Sequence, residues 1–145
     1  MTALLWALAV AFVGGLAIAL QSPLASMMSE RIGSLESAFV VHLGGALIAS
    51  VPLLVMGGGQ LSKWREVPPY ALFAGGFGLV LIAAISYTIP RIGLASTVAP
   101  LIAAQLIAGA LIDHFGWLGL EIRLLNFERG LGIVLLFVGV WLVTR

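Results

Sequence analysis

Residues 70–112, YALFAGGFGLVLIAAISYTIPRIGLASTVAPLIAAQLIAGALI, carry one charged side chain, Arg91, in 43 positions. Pro90-Arg91 divides the run into two apolar segments, about 70–89 and 93–112. Each is close to the roughly 20 residues a helix needs to cross the hydrocarbon core of a bilayer. Strands of a membrane barrel alternate over about ten residues and keep one face polar. These segments are apolar all round and about twice that length, and in lipid only a helix then satisfies its own backbone groups.

The same pattern recurs on both sides of this pair. A first segment covers about 3–28 and continues past Pro23; a second covers about 37–56 and ends in Gly57-Gly58-Gly59. A fifth, about 127–143, is the shortest and is anchored by Trp141 and Arg145. Residues 29–36 read as a short polar loop, and the next loop carries Lys63, Trp64, Arg65, Glu66 and the helix-start pair Pro68-Pro69. Residues 115–126 mix Trp117, Glu121 and Arg123 with leucines, which suits headgroup depth. Of the 145 residues, 61% are hydrophobic and 9% charged, and mean hydropathy is +1.17. A soluble domain carries roughly a quarter charged residues, and a small one has too little interior to hide so much apolar surface. The expected fold is an all-α integral membrane protein, residues 1–145 forming a single transmembrane domain of five helices. Four spans plus a re-entrant piece is the alternative, since the fifth segment is near the lower length limit. The stretch beginning Met1-Thr2-Ala3-Leu4 lacks the basic region and cleavage site of a signal peptide and reads as a retained first helix.

Several function classes fall away. A net charge of +1 gives no nucleic-acid surface, and with no cysteine there is no thiol chemistry. No nucleophile–base pair, metal-ligand spacing or cofactor motif is apparent. Gly75-Gly76-Phe77-Gly78 lies inside an apolar segment rather than a strand–turn–helix setting, so it reads as a place where helices approach closely. An enzyme is not expected, nor a metal or cofactor.

With five spans, Lys63, Arg65, Arg123 and Arg129 fall on one side, and Arg31, Arg91 and Arg145 on the other. Orientation follows an excess of basic residues, and four against three is barely an excess. The chain either inserts both ways and pairs head-to-tail with itself, or one orientation dominates. Small residues spaced four apart in Gly45/Ala49, Ala71/Gly75 and Ala104/Ala108 favour close helix packing.

Polar side chains inside spans are costly and mark candidate sites. Gln21, Ser22, His42, Ser50, Ser86, Tyr87, Ser96, Thr97 and Gln105 are such residues, with Asp113 at the end of the fourth segment. Counting along alternating spans places Gln21, His42, Tyr87 and Thr97 in one layer near one membrane face, with Gln105 nearer the midplane. Facing inward, they would form a polar vestibule. Simpler readings compete: Thr97 and Ser86 bonding their own helix carbonyls, Tyr87 anchoring at the interface, His42 reaching water. Pro23, Pro52 and Pro100 each remove a helix donor, at the carbonyls of Ala19, Ile48 and Ser96. Transporters place substrate sites at interrupted helices, although tolerated kinks are common.

The clearest resemblance lies in the fourth and fifth segments. Ile92-Gly93-Leu94-Ala95-Ser96-Thr97, then Ala103-Ala104-Gln105-Leu106-Ile107-Ala108-Gly109, Asp113 and the closing Val138-Gly139-Val140-Trp141-Leu142-Val143 resemble the YdcZ family of the drug/metabolite transporter superfamily. Gln21 matches a further family position, while Ser22 and His42 stand where asparagine is expected. The resemblance spans essentially the whole chain. It implies a multi-pass exporter of the bacterial inner membrane, built as a five-helix half of a ten-helix inverted-repeat transporter and acting as a dimer. Small multidrug-resistance proteins of that superfamily use a glutamate in the first helix. This chain has no Glu or Asp there, so that mechanism does not carry over.

The leading expectation is alternating-access export of a small molecule by a dimer in the lipid bilayer, either an antiparallel homodimer or a heterodimer with a related half. Gln21, Ser22, His42, Tyr87, Thr97 and Gln105 would bind substrate, with His42 or Asp113 for proton coupling. The alternative is a non-transporting membrane subunit, or a half-transporter needing a different partner chain. In that case Gln21 and Gln105 serve as interhelical glue of about 1 kcal/mol each.

Overall fold

A computed structural model describes residues 2–145, and every regular element among them is helical. The chain divides into two compact units, residues 1–90 and 91–145. The long helices are α1 (Thr2–Ile32), α2 (Ser34–Val55), α3 (Ala74–Ile92), α4 (Leu94–Phe115) and α5 (Phe127–Val143). Four stretches are long and apolar enough to cross a membrane: α1, α2, α4, and α3 with the 3-10 turn that leads into it from Pro69. At 1.5 Å per residue, the 17 residues of α5 reach about 25 Å, somewhat under the hydrocarbon thickness.

In the first unit α1 and α2 pack together, and only small residues make this possible. Ser22, Ala25 and Ser26 lie on one face of α1 and are buried, as are Ser37 and Ala38 on α2. Ala25, Ala38 and Ile82 of α3 form a small core, with Val41 against it. The Ser37 hydroxyl donates to the Ala25 carbonyl at 2.8 Å, a buried bond between the two helices.

Residues 29–36 differ from the loop their polarity suggested. They are helical except for Gly33, which alone joins α1 to α2. Gly33 has φ 101° and ψ 156°, a conformation essentially restricted to glycine. Its carbonyl accepts from the Ser37 amide at 3.0 Å and so starts α2 at once. A side chain here would also run into the Glu36 carboxylate. The same device opens the second unit: Gly93 has φ 81° and ψ 167°, and its carbonyl accepts from the Thr97 amide at 3.1 Å. The tripeptide Arg-Ile-Gly precedes both turns, at residues 31–33 and 91–93, a repeat that reading by segments does not pick out.

The prolines do not interrupt their helices. Pro23, Pro52, Pro90 and Pro100 all lie inside continuous α-helix, and α3 runs on to Ile92 instead of stopping at Pro90. In the second unit α5 packs on α4. The intervening segment folds back: the Arg123 amide donates to the Asp113 carbonyl at 2.8 Å, and the Leu125 amide to His114 Nδ1 at 3.0 Å. Asn126 then caps α5, its side chain accepting from the Arg129 amide at 2.9 Å. At the other end of α5 the Arg145 guanidinium lies 3.7 Å from the centre of the Trp141 ring, an arrangement suited to the interface.

Replacing Gly33 or Gly93 by alanine should cost about 1–3 kcal/mol each, the strain of a side chain in that backbone region. Unfolding of purified protein in sodium dodecyl sulfate, followed by tryptophan fluorescence, measures this. Gly14→Ala, in open space on α1, should stay within about 0.5 kcal/mol of the parent. An equal loss in the control would remove the turn explanation.

Candidate functional site

In the first unit three helices line an open cavity of about 280 Å³, at which Gln21 and His42 are exposed and Ser22 is buried. Helix α1 supplies Ile18, Gln21 and Ser22, which share a face at helical spacing; α2 supplies Val41, His42 and Gly45; α3 supplies Gly78, Leu81, Ile82 and Ile85. The walls are apolar except for Gln21, Ser22 and His42. The Ser22 hydroxyl donates to the Ile18 carbonyl at 2.7 Å and is thereby satisfied. The Gln21 carboxamide forms no hydrogen bond among the described residues, so its donors and acceptor remain available.

His42 is held by a bond of 2.6 Å between Nδ1 and the Ala38 carbonyl one turn earlier. A carbonyl only accepts, so in the neutral ring Nδ1 carries the proton and Nε2 is bare. Nε2 abuts Gly78, where a Cβ would collide with it. Gly78 is therefore a notch in α3 that seats the imidazole ring in the cavity wall. Gly75 and Gly76, in the same glycine run, face open space, as does Gly45. Among the described residues of the single chain, the close approach expected of that run falls to Gly78, and Gly45 and Gly75 meet no other helix within it. His42 also lines a wider groove of about 690 Å³ beside α2 and α3, with Gly75, Gly76 and Glu36.

The second unit has its own groove of about 500 Å³ between α4 and α5. Gln105, Gly109 and Asp113 line it from successive turns of α4, and Arg129, Gly132 and Leu136 from α5. Arg129 lies 3.6 Å from the Asp113 carboxylate and also donates to the Arg123 carbonyl at 3.2 Å. Asp113 thus belongs to the knot that fastens the returning segment to the end of α4.

The expected site residues are distributed unevenly. Gln21, Ser22 and His42 come together in one cavity, while Gln105 and Asp113 share the groove of the second unit. Tyr87 is not among the residues lining either; it is 62% exposed and lies five residues before the end of α3. Thr97 is buried, and its hydroxyl donates to the Gly93 carbonyl at 2.8 Å, the local bond that was its simpler reading. Ser86 does not do the same: its hydroxyl is buried without a partner. Depth also differs from the sequence estimate. With α1 and α2 running to Gly33, His42 lies about two turns into α2 and Gln21 about three turns from the end of α1. Tyr87 and Thr97 stay near helix ends, so the four do not occupy equivalent depths on their helices. Gln105 is at the middle of α4. Gly78 and the Ser86 hydroxyl were not distinguishable in the sequence, because each is one of several like residues in an apolar run.

The two histidines should hold opposite neutral tautomers, since His114 Nδ1 accepts from the Leu125 amide whereas His42 Nδ1 donates. Nitrogen-15 histidine NMR at alkaline pH should resolve one signal set of each kind. Gly78→Ala should shift only the His42 set, and Gly76→Ala should leave both in place. Unchanged His42 signals in Gly78→Ala would remove the notch.

The family model described as "Putative inner membrane exporter, YdcZ" matches residues 6–142. "Inner membrane protein YdcZ" of Escherichia coli (strain K12) is 29% identical to the chain over 143 residues, covering 95% of this chain and 94% of that relative. No solved structure matches. With its long apolar helices, the chain is a multi-pass protein of the inner membrane. It belongs to the YdcZ family of the drug/metabolite transporter superfamily, a family of membrane exporters rather than enzymes.

Proposed function

We propose that the protein is a secondary transporter that exports a small molecule as a dimer of five-span chains, with α5 as the fifth span. The observation that carries this reading is the cavity lined by α1, α2 and α3, where the Gln21 carboxamide has no hydrogen-bond partner among the described residues and Gly78 seats the His42 ring. Polar groups within membrane-spanning helices are costly and are kept where a solute passes. Gln105, at the middle of α4, is the matching feature of the second unit and serves as a further substrate contact. Thr97, near the start of α4, and Tyr87, near the end of α3, are further contacts, each within its own unit. Proton coupling falls to His42, because the Asp113 carboxylate is already paired with Arg129.

Two copies inserted in opposite senses would turn one cavity toward each side of the membrane, which is the symmetry that alternating access exploits. The balance of four basic residues against three supports insertion both ways.

Two measurements test this. Ser62, exposed in the 3-10 turn Leu61–Glu66, is changed to cysteine in a chain that has none of its own. A membrane-impermeant maleimide on intact cells should label about half of the molecules if insertion is dual. Labelling of all or none would sink the antiparallel homodimer and leave a half-transporter paired with a different chain. Mass spectrometry of the growth medium should show solutes released on expression of the parent and lost in Gln21→Ala at equal membrane level. An identical medium for parent, variant and empty cells would turn the reading to a non-transporting subunit.

A further inference from the structure

The groove between α4 and α5 is charged at one end and mostly apolar along its length. Asp113 stands near the end of α4 and Arg129 near the start of α5, so both lie where the helices leave the hydrocarbon. Gln105 and Leu136 mark the other end, about 12 Å deeper along the axis of α4. Between these ends Gly109 and Gly132 have open space where side chains would stand, and both are exposed, as is Leu106. In a membrane such a furrow faces acyl chains rather than water.

The charges at its outer end select among lipids. Arg129 and Asp113 approach to 3.6 Å, longer than the roughly 2.7–2.9 Å of a charge-assisted hydrogen bond. Their side chains are 38% and 35% exposed, and both line the groove. The pair therefore keeps hydrogen-bonding capacity toward an occupant, even with one guanidinium contact given to the Arg123 carbonyl at 3.2 Å. Nearby, Arg123 faces Glu121 at 3.8 Å, and Glu128 lies in the first turn of α5. Asp113, Glu121 and Glu128 offset Arg123 and Arg129, so no cationic excess draws a lipid of net negative charge. A headgroup that carries both a phosphate and a primary ammonium meets both members of the pair. A quaternary ammonium has no N–H to donate, and its lipid meets Arg129 alone.

We propose that this groove of about 500 Å³ holds one phosphatidylethanolamine molecule. Its phosphate accepts from the Arg129 guanidinium and its ammonium donates to the Asp113 carboxylate. One acyl chain follows Gly109 and Gly132 down to the level of Gln105 and Leu136. Among the described helices α5 packs on α4 alone. A chain lying between the two supplies the contacts that their glycines omit, and so makes the lipid a structural partner of α5.

The test reconstitutes the full chain in nanodiscs of phosphatidylethanolamine, phosphatidylcholine and phosphatidylglycerol in equal parts, with identical acyl chains. Release into detergent and native mass spectrometry then count the lipids that stay bound. One lipid per chain should remain, with phosphatidylethanolamine favoured about tenfold over either competitor, the worth of one hydrogen bond to a charged group. Asp113→Asn should bring phosphatidylethanolamine down to the level of phosphatidylcholine. Gly132→Leu, whose side chain has open space to enter, should fill the groove and remove the bound lipid. Glu66→Gln, exposed in the first unit, should match the parent. If Asp113→Asn fails to fold, the ranking in the parent and the Gly132→Leu result decide. Equal retention of the three lipids, a preference for phosphatidylglycerol, or phosphatidylethanolamine kept in Gly132→Leu would each overturn the proposal. So would the absence of any retained lipid, the result expected if a helix of a second copy fills the groove.

Discussion

In hydrocarbon there is no water to satisfy an unpaired backbone N–H or C=O, and each one left over costs several kcal/mol. Most features of this chain follow from that constraint. Helices run unbroken through four internal prolines. Connections shrink to the least backbone that can turn, a single glycine at Gly33 and again at Gly93, whose carbonyls start the next helix. Side-chain hydroxyls are absorbed the same way: Ser22, Ser50, Thr88 and Thr97 each donate to a carbonyl of their own helix. The Ser37 hydroxyl goes further and joins α2 to α1 through the Ala25 carbonyl. The buried Ser86 hydroxyl, by contrast, has no partner among the described residues.

Once local polarity is neutralised in this way, the groups left over define the site. Gln21 keeps its carboxamide at the cavity of the first unit, where the His42 Nε2 abuts Gly78, and Gln105 keeps its own in the groove of the second unit. The glycines around them act by omission. Gly45, Gly75, Gly76 and Gly109 leave volume empty beside the helices, whereas Gly78 admits the His42 ring. Charged side chains keep to helix ends and connections, where Asp113, Arg123 and Arg129 fasten the returning segment of the second unit. A cavity with no carboxylate in its wall follows from that segregation.

Much of the fold was legible in the sequence, because the hydrocarbon core imposes both a length and a composition on any segment that crosses it. The 43 residues from 70 to 112 with one charge admit few readings other than two membrane helices. The polar stretch 29–36 misled for a physical reason: polarity normally marks a loop, but a helix end emerging from lipid is polar while remaining helical. Extending α1 and α2 to either side of Gly33 then moved Gln21 and His42 deeper than counting from a loop had placed them. The resemblance to the YdcZ family, visible around Gly93, Gln105 and Asp113, pointed to the family that the comparisons establish.

The sequence by itself determined the membrane class, the helical architecture and the short list of polar residues, since those depend on which side chains lipid tolerates along a single helix. Tertiary structure decided which of them meet. That Gln21, Ser22 and His42 share a cavity, that Asp113 pairs with Arg129, and that Gly78 alone of its run touches a side chain all depend on the rotation of one helix against another. Helices apolar on every face carry no periodic mark of which side turns inward, so that rotation is fixed by packing between helices and is not written along any one of them.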